Sequence, residues 1–193
     1  MIQITFLDVF IIFMILVILC FYVKEHFYNE VAYVKSDVDG RKYLVKTLSD
    51  SQEASNRLAR INNKLTEFIK KMKEKYPDHP DVKRLSDNYN PDHISEGLPE
   101  AGYTSYTINK GERIIVCMRQ KDTNEFVDEN VVLYPVLHEL THCAISDIGH
   151  TTKFWETFRW FLEEAVEMGI YRKVDYAKNP TPYCGIKLTT SVI

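Results

Sequence analysis

Five consecutive residues, His138-Glu139-Leu140-Thr141-His142, set two imidazoles four positions apart with a carboxylate beside the first. In a helix that spacing stacks both imidazoles on one face, a turn apart, where two ring nitrogens can hold one Zn2+ at about 2.0–2.1 Å. Glu139 then lies on the side that can reach a metal-bound water, from which a carboxylate takes a proton and later returns it to a leaving amine. The pattern points to hydrolysis of a peptide bond by a Zn-activated water, with Glu139 as general base.

A third ligand is needed to complete such a site. His150, eight residues beyond His142 and directly after Gly149, follows a break in the helical pattern that lets the chain turn back, and it is the expected ligand. Glu163, Glu164 or Glu167 on the next helix are the alternative, and Asp147 is a weaker one. Ile145 and Ile148 stand where a metzincin pattern requires Gly and His, which excludes that subclass. Cys143 could close a four-ligand structural site, but its place next to His142 turns it about 100° away. Tyr103, Tyr106 and Tyr183 are candidate donors to an oxyanion, and spacing does not choose among them.

The elements that must carry these groups are visible as periodicities. Residues 130–144 place Val132, Leu133, Val136, Leu137 and Leu140 on one helical face, so the motif falls on a helix. A second helix over about 152–168 carries Phe154, Trp155, Phe158, Phe161 and Leu162, all expected in the core, and Gly169 stops it. Residues 103–108 and 113–118 alternate about the turn Asn109-Lys110-Gly111 and predict a β-hairpin. Upstream, Ala54, Leu58, Ile61, Leu65, Phe68, Ile69 and Met72 mark a long amphipathic helix that opens on an Asp50/Glu53 capping box and stops at Pro77 and Pro80. A basic stripe, Arg57, Arg60, Lys64, Lys71 and Lys75, runs beside its apolar one, as a solvated face or a contact for lipid, nucleic acid or an acidic partner. Residues 87–102 read as loop and the tail beyond Gly169 as irregular.

Length and composition bound the rest. The 193 residues, 45% hydrophobic and 26% charged, make one folded domain. A net charge of −3 argues against a dedicated nucleic-acid binder that works by neutralising phosphates, though not against a local basic patch. Residues 4–23 hold Asp8 as their one charge, which predicts an uncleaved membrane-spanning helix. Lys24, Lys35, Arg41 and Lys42 follow that run, so the bulk of the chain is expected in the cytoplasm. The four cysteines, irregularly spaced, are expected to stay reduced there.

The run HELTH, then Gly149-His150, then Thr151-Thr152-Lys153-Phe154-Trp155 resembles the WLM group of metallopeptidases, which is akin to the SprT-like proteases. The resemblance spans about residues 95–170. It implies His138, His142 and His150 as ligands, Glu139 as base, and Phe154 and Trp155 as a packing pair behind the site. Residues 171–176, Asn179-Pro180 and Tyr183-Cys184-Gly185, with the N-terminal anchor, are most similar to WLM-domain proteins of large nucleocytoplasmic DNA viruses.

The expected architecture is therefore α+β: a zincin-like domain at 49–193 with its active-site helix beside a small antiparallel sheet, a juxtamembrane linker at 25–48, and a transmembrane anchor at 1–24. The expected function is that of a membrane-anchored zinc metallopeptidase acting on a protein or peptide substrate, with Zn2+ as cofactor, the lipid membrane as partner of the N-terminal helix, and nucleic acid left open. The expected location is single-pass with the C-terminal domain cytoplasmic, or in a virion. A second reading is a structural or assembly component, such as a minor virion or capsid-membrane protein, which keeps the zinc fold with little or no turnover and contacts capsid or other virion proteins.

Overall fold

The computed structural model describes residues 6–28, 30–97 and 104–193. Helix α1 (Phe6–Tyr28) contains an 18-residue window, Phe6–Val23, with Asp8 as its one charge, long and apolar enough to cross a membrane. At 1.5 Å per residue α1 spans about 35 Å, against a hydrocarbon core of about 30 Å. None of that window is buried in the protein, so it is no core helix.

The segment expected as a linker forms part of the sheet. Strands β1 (Val31–Lys35) and β2 (Lys42–Lys46) pair antiparallel. Their turn is held to the long helix α2 (Ser51–Lys75) by Ser36 Oγ donating to Asn56 Oδ1 at 3.1 Å and Ser55 Oγ donating to the Val34 carbonyl at 2.9 Å. Strand β3 (Ile94–Glu96), inside the region expected as loop, lies parallel to both β2 and β5 (Arg113–Val116). β4 (Tyr106–Ile108) pairs antiparallel with β5, as the hairpin pattern predicts. The order is β1-β2-β3-β5-β4. The sheet is therefore mixed rather than antiparallel, because the three-residue β3 inserts between the two hairpins. The fold is mixed α/β.

α2 buries its apolar stripe from Ala54 to Met72 as the period requires. Its start differs from the capping-box expectation: Asp50 makes no cap bond, and both its oxygens accept from Arg119 at 2.7 and 2.8 Å. Those bonds hold the Asp50 carboxyl below the usual range. Arg119 also donates Nε to buried Glu96 at 2.7 Å and lies 3.8 Å over the Phe126 ring, so one guanidinium joins the α2 start, β3 and the strand exit. Pro80, expected only to end α2, instead opens α3 (Pro80–Asn88), where its missing N–H costs no bond.

Every member of the basic stripe is paired within the chain. Arg57 meets Glu53, Arg60 meets Glu53 and Glu129, Lys64 meets Glu129, Lys71 meets Glu67, and Lys75 meets Glu164 and Glu167. The stripe thus clips α2 to the start of α4 (Glu129–Ala144) through Glu129 and to the end of α5 (Thr152–Glu167) through Glu164 and Glu167.

The tail is ordered. β6 (Thr181–Tyr183) and β7 (Ile186–Leu188) form a hairpin through Cys184 and Gly185, both at positive φ. Tyr176, Tyr183 and Cys184 are wholly buried. Cys184 is disulfide-bonded to Cys117 at the end of β5, across 67 residues, whereas both were expected as free thiols. Irregular spacing says nothing about a pair that meets only when the tail folds back.

Candidate metal centre

The site is built from the last two turns of α4 and the seven residues, 145–151, that join it to α5. Asp128 caps α4 by accepting from Asn130 N at 2.9 Å, and the helix period then brings the His138 and His142 rings to 5.0 Å between centroids. After Gly149, at φ +79°, the chain reverses and places the His150 ring 4.8 Å from His138 and 5.0 Å from His142. The ligand atoms of all three lie within 4.8 Å of one another, and Nε2 of His138 and of His150 are 2.9 Å apart. A tetrahedral ion with bonds of about 2.05 Å needs nitrogen pairs about 3.3 Å apart. Among the described residues this is the one cluster of such ligands.

Burial, reinforced by the neighbouring imidazoles, pushes His138 down to about 3. Burial followed by the charges of His150 and Lys110 pushes His142 down to about 4. Both rings are neutral near pH 7 and offer lone pairs, as a divalent cation requires. Phe154 is fully buried behind them, with its ring 4.6, 4.4 and 4.7 Å from His138, His142 and His150. Trp155 departs from the expected core position: it is 45% exposed and stacks on His150 at 5.6 Å, forming a rim.

The alternative ligands point elsewhere. Glu164 binds Lys75 and Tyr76, Glu167 binds Lys75, and Glu163 is exposed. Asp147 is occupied by Ser146 and Thr151. Cys143 is buried against its own helix, with Sγ 3.3 Å from the Glu139 carbonyl oxygen.

Glu139 is buried on α4 beside the edge strand. Desolvation raises its carboxyl to about 8, opposed by a backbone hydrogen bond from Thr107 of β4. It lines a cleft of about 690 Å3 with the three histidines, the β4 edge, the loop from Asp147 to His150, and the tail residues Tyr183, Ile186 and Leu188. Of the oxyanion candidates, Tyr106 lies on β4 at the cleft, Tyr183 is buried with Oη 2.6 Å from Ser105 Oγ, and Tyr103 lies outside the described residues. The wall formed by Ile186 and Leu188 was missed by the sequence reading, although Thr181-to-Tyr183 and Ile186-to-Leu188 about Gly185 carry a hairpin signal. Lys110 was seen only as a turn residue, and nothing local indicates what it reaches.

Known proteins share this chain's pattern. The WLM domain matches residues 39–179, which includes all four site residues. Uncharacterized protein R325 of Acanthamoeba polyphaga mimivirus is 29% identical over 182 residues, 92% of each chain. Uncharacterized protein 136R of Invertebrate iridescent virus 6 is 33% identical over 86 residues, 43% of this chain and 48% of that protein. Among solved structures, Wss1 from Saccharomyces cerevisiae has a similar fold, with a TM-score of 0.50 and 18% identity over 65% of this chain and 88% of that one. A family match over well more than half of the chain, from β2 through α5 and into the tail, settles the membership: the chain belongs to the WLM domain family.

Proposed function

We propose that the chain is a zinc-dependent metallopeptidase of zincin-like design, tethered to a membrane by α1. The observation that carries this reading is the convergence of three histidine ligand atoms within 4.8 Å, beside a buried carboxylate in the same open cleft. His138, His142 and His150 would hold Zn2+, leaving one coordination position open. When bound, the ion supplies a Lewis acid that raises the acidity of a water molecule and polarises a carbonyl.

The chain's own groups supply the rest. Glu139 accepts a proton at a carboxylate oxygen and hands it to the leaving nitrogen; a bound dication would offset the burial that otherwise disfavours its charged form. β4 is the last strand of the sheet, and among the described residues no strand pairs its outer edge. That edge lines the cleft and suits an extended peptide, which would add as a further strand beside the histidines. Trp155 and Ile148 provide exposed apolar surface at the mouth.

For orientation, two observations pull apart. The basic residues after α1 favour a cytoplasmic domain, whereas the Cys117–Cys184 disulfide favours an oxidising face, lumenal or within a virion. The test of function is cleavage of an unfolded protein by the detergent-solubilised full chain. Chelator should abolish it and Zn2+ restore it, and Glu139→Gln should lose at least about 100-fold in rate while keeping its metal. Activity that survives both treatments would overturn the proposal.

A further inference from the structure

Helix α4 ends without the usual device. Its cap, Ile145, is extended (φ −93°, ψ 153°), so no left-handed glycine satisfies the terminal carbonyls. Side chains from two other elements do so instead. Asn88 Nδ2 donates to the Cys143 carbonyl at 2.8 Å and Arg84 Nη1 to that of Ala144 at 2.6 Å, both from α3. Lys110 Nζ then donates to the next three, of Ile145, Ser146 and Asp147, at 2.7, 2.9 and 2.8 Å. Five consecutive carbonyls, 143–147, are thereby held from outside the segment, with only Ile148 and Gly149 between the last of them and His150.

The turn that delivers Lys110 carries a conformational penalty. Gly111 N donates to the Ile108 carbonyl at 3.1 Å, and the two central residues, Asn109 and Lys110, have φ of 45° and 58°. Such a turn favours Asn-Gly, and a lysine at its second central position is disfavoured. Gly111 is pressed onto α3, where an added Cβ would stand 2.5 Å from the Asn88 carbonyl oxygen. The far side of the loop is fixed as well, because Thr151 Oγ1 donates to Asp147 Oδ2 at 3.1 Å and caps α5 by accepting from Phe154 N at 3.2 Å. His150 thus hangs between two anchored points.

We propose that Lys110 is a positioning residue for the third metal ligand: by gripping carbonyls 145–147 it sets the loop so that His150 meets His138 and His142. The inference rests on the reading of these histidines as a metal site. Charge alone argues the opposite sign, since an ammonium at the cleft repels a dication and its removal should tighten binding.

Lys110→Gly separates these effects, because it relaxes the turn and removes the grip. The experiment is competition of the full chain against a chromophoric chelator for Zn2+, with thermal unfolding of the same samples and the visible spectrum of the Co2+ form. Lys110→Gly should bind Zn2+ about 10–100-fold more weakly, as loss of a ligand's support typically does, in a chain that still unfolds cooperatively. Lys110→Arg should recover part of the affinity. In a His150→Ala background Lys110→Gly should cause no further loss, since the grip acts through His150. Equal or tighter binding by Lys110→Gly, or the same loss in both backgrounds, overturns the proposal. A wild-type chain that takes up no Zn2+ overturns the metal reading itself, and this inference with it.

Discussion

Removing the Cys117–Cys184 bond should destabilise the folded domain by several kcal/mol and loosen one wall of the cleft. The bond closes a loop across 67 residues, from the end of β5 to the turn of the tail hairpin. Chain-entropy loss for a loop of that length corresponds to about 4 kcal/mol at 25 °C. For a domain of this size that is a fall in melting temperature of about 10–15 °C. The effect should reach the site, because Tyr183, Ile186 and Leu188 line the cleft from the same hairpin. Urea unfolding followed by tryptophan fluorescence, with and without a thiol reductant, reads the stability; Trp155 and Trp160 both lie on α5. A Cys117→Ser/Cys184→Ser variant should match the reduced wild type and be insensitive to reductant. Thiol titration in denaturant should find two free groups, Cys20 and Cys143, before reduction and four after it. Four thiols before reduction, together with a midpoint indifferent to reductant, would refute the pairing and with it the oxidising-face reading.

Arg119→Met should cost about 3–5 kcal/mol in the same unfolding assay, because it leaves the buried Glu96 carboxylate without its cation; a change under 1 kcal/mol would show that the pair contributes little. The α1 segment should keep the chain in the membrane pellet through alkaline carbonate, and release into the supernatant would contradict a spanning helix. In sealed vesicles, protection of the domain from added protease decides which side it occupies, and so decides between the basic residues and the disulfide as the better guide.

The site was legible because its grammar is local. Two histidines and a glutamate at helical spacing need only one helix, and Gly149 announced the reversal that brings His150 back. α2 and the β4–β5 hairpin were legible for the same reason, each fixed by its own period or turn. What escaped was set by partners far along the chain. Asp50 resembles a cap until Arg119, 69 residues on, takes both its oxygens. The basic stripe resembles a binding face until Glu129, Glu164 and Glu167 arrive to neutralise it. β3 has three residues in an Asn- and Pro-rich stretch and is a strand only because β2 and β5 flank it. Trp155 shares the apolar stripe of α5 yet stands at the rim, since Phe154 fills the space behind the histidines.

Metal content of the purified full chain and its single histidine variants tests the central claim most directly. One Zn2+ per wild-type chain is expected, falling below about a tenth in His138→Ala, His142→Ala and His150→Ala dialysed at the same free zinc. Glu163→Ala and Glu164→Ala should keep the full complement. A wild-type chain without zinc, or a His150→Ala chain that retains it, would contradict the account.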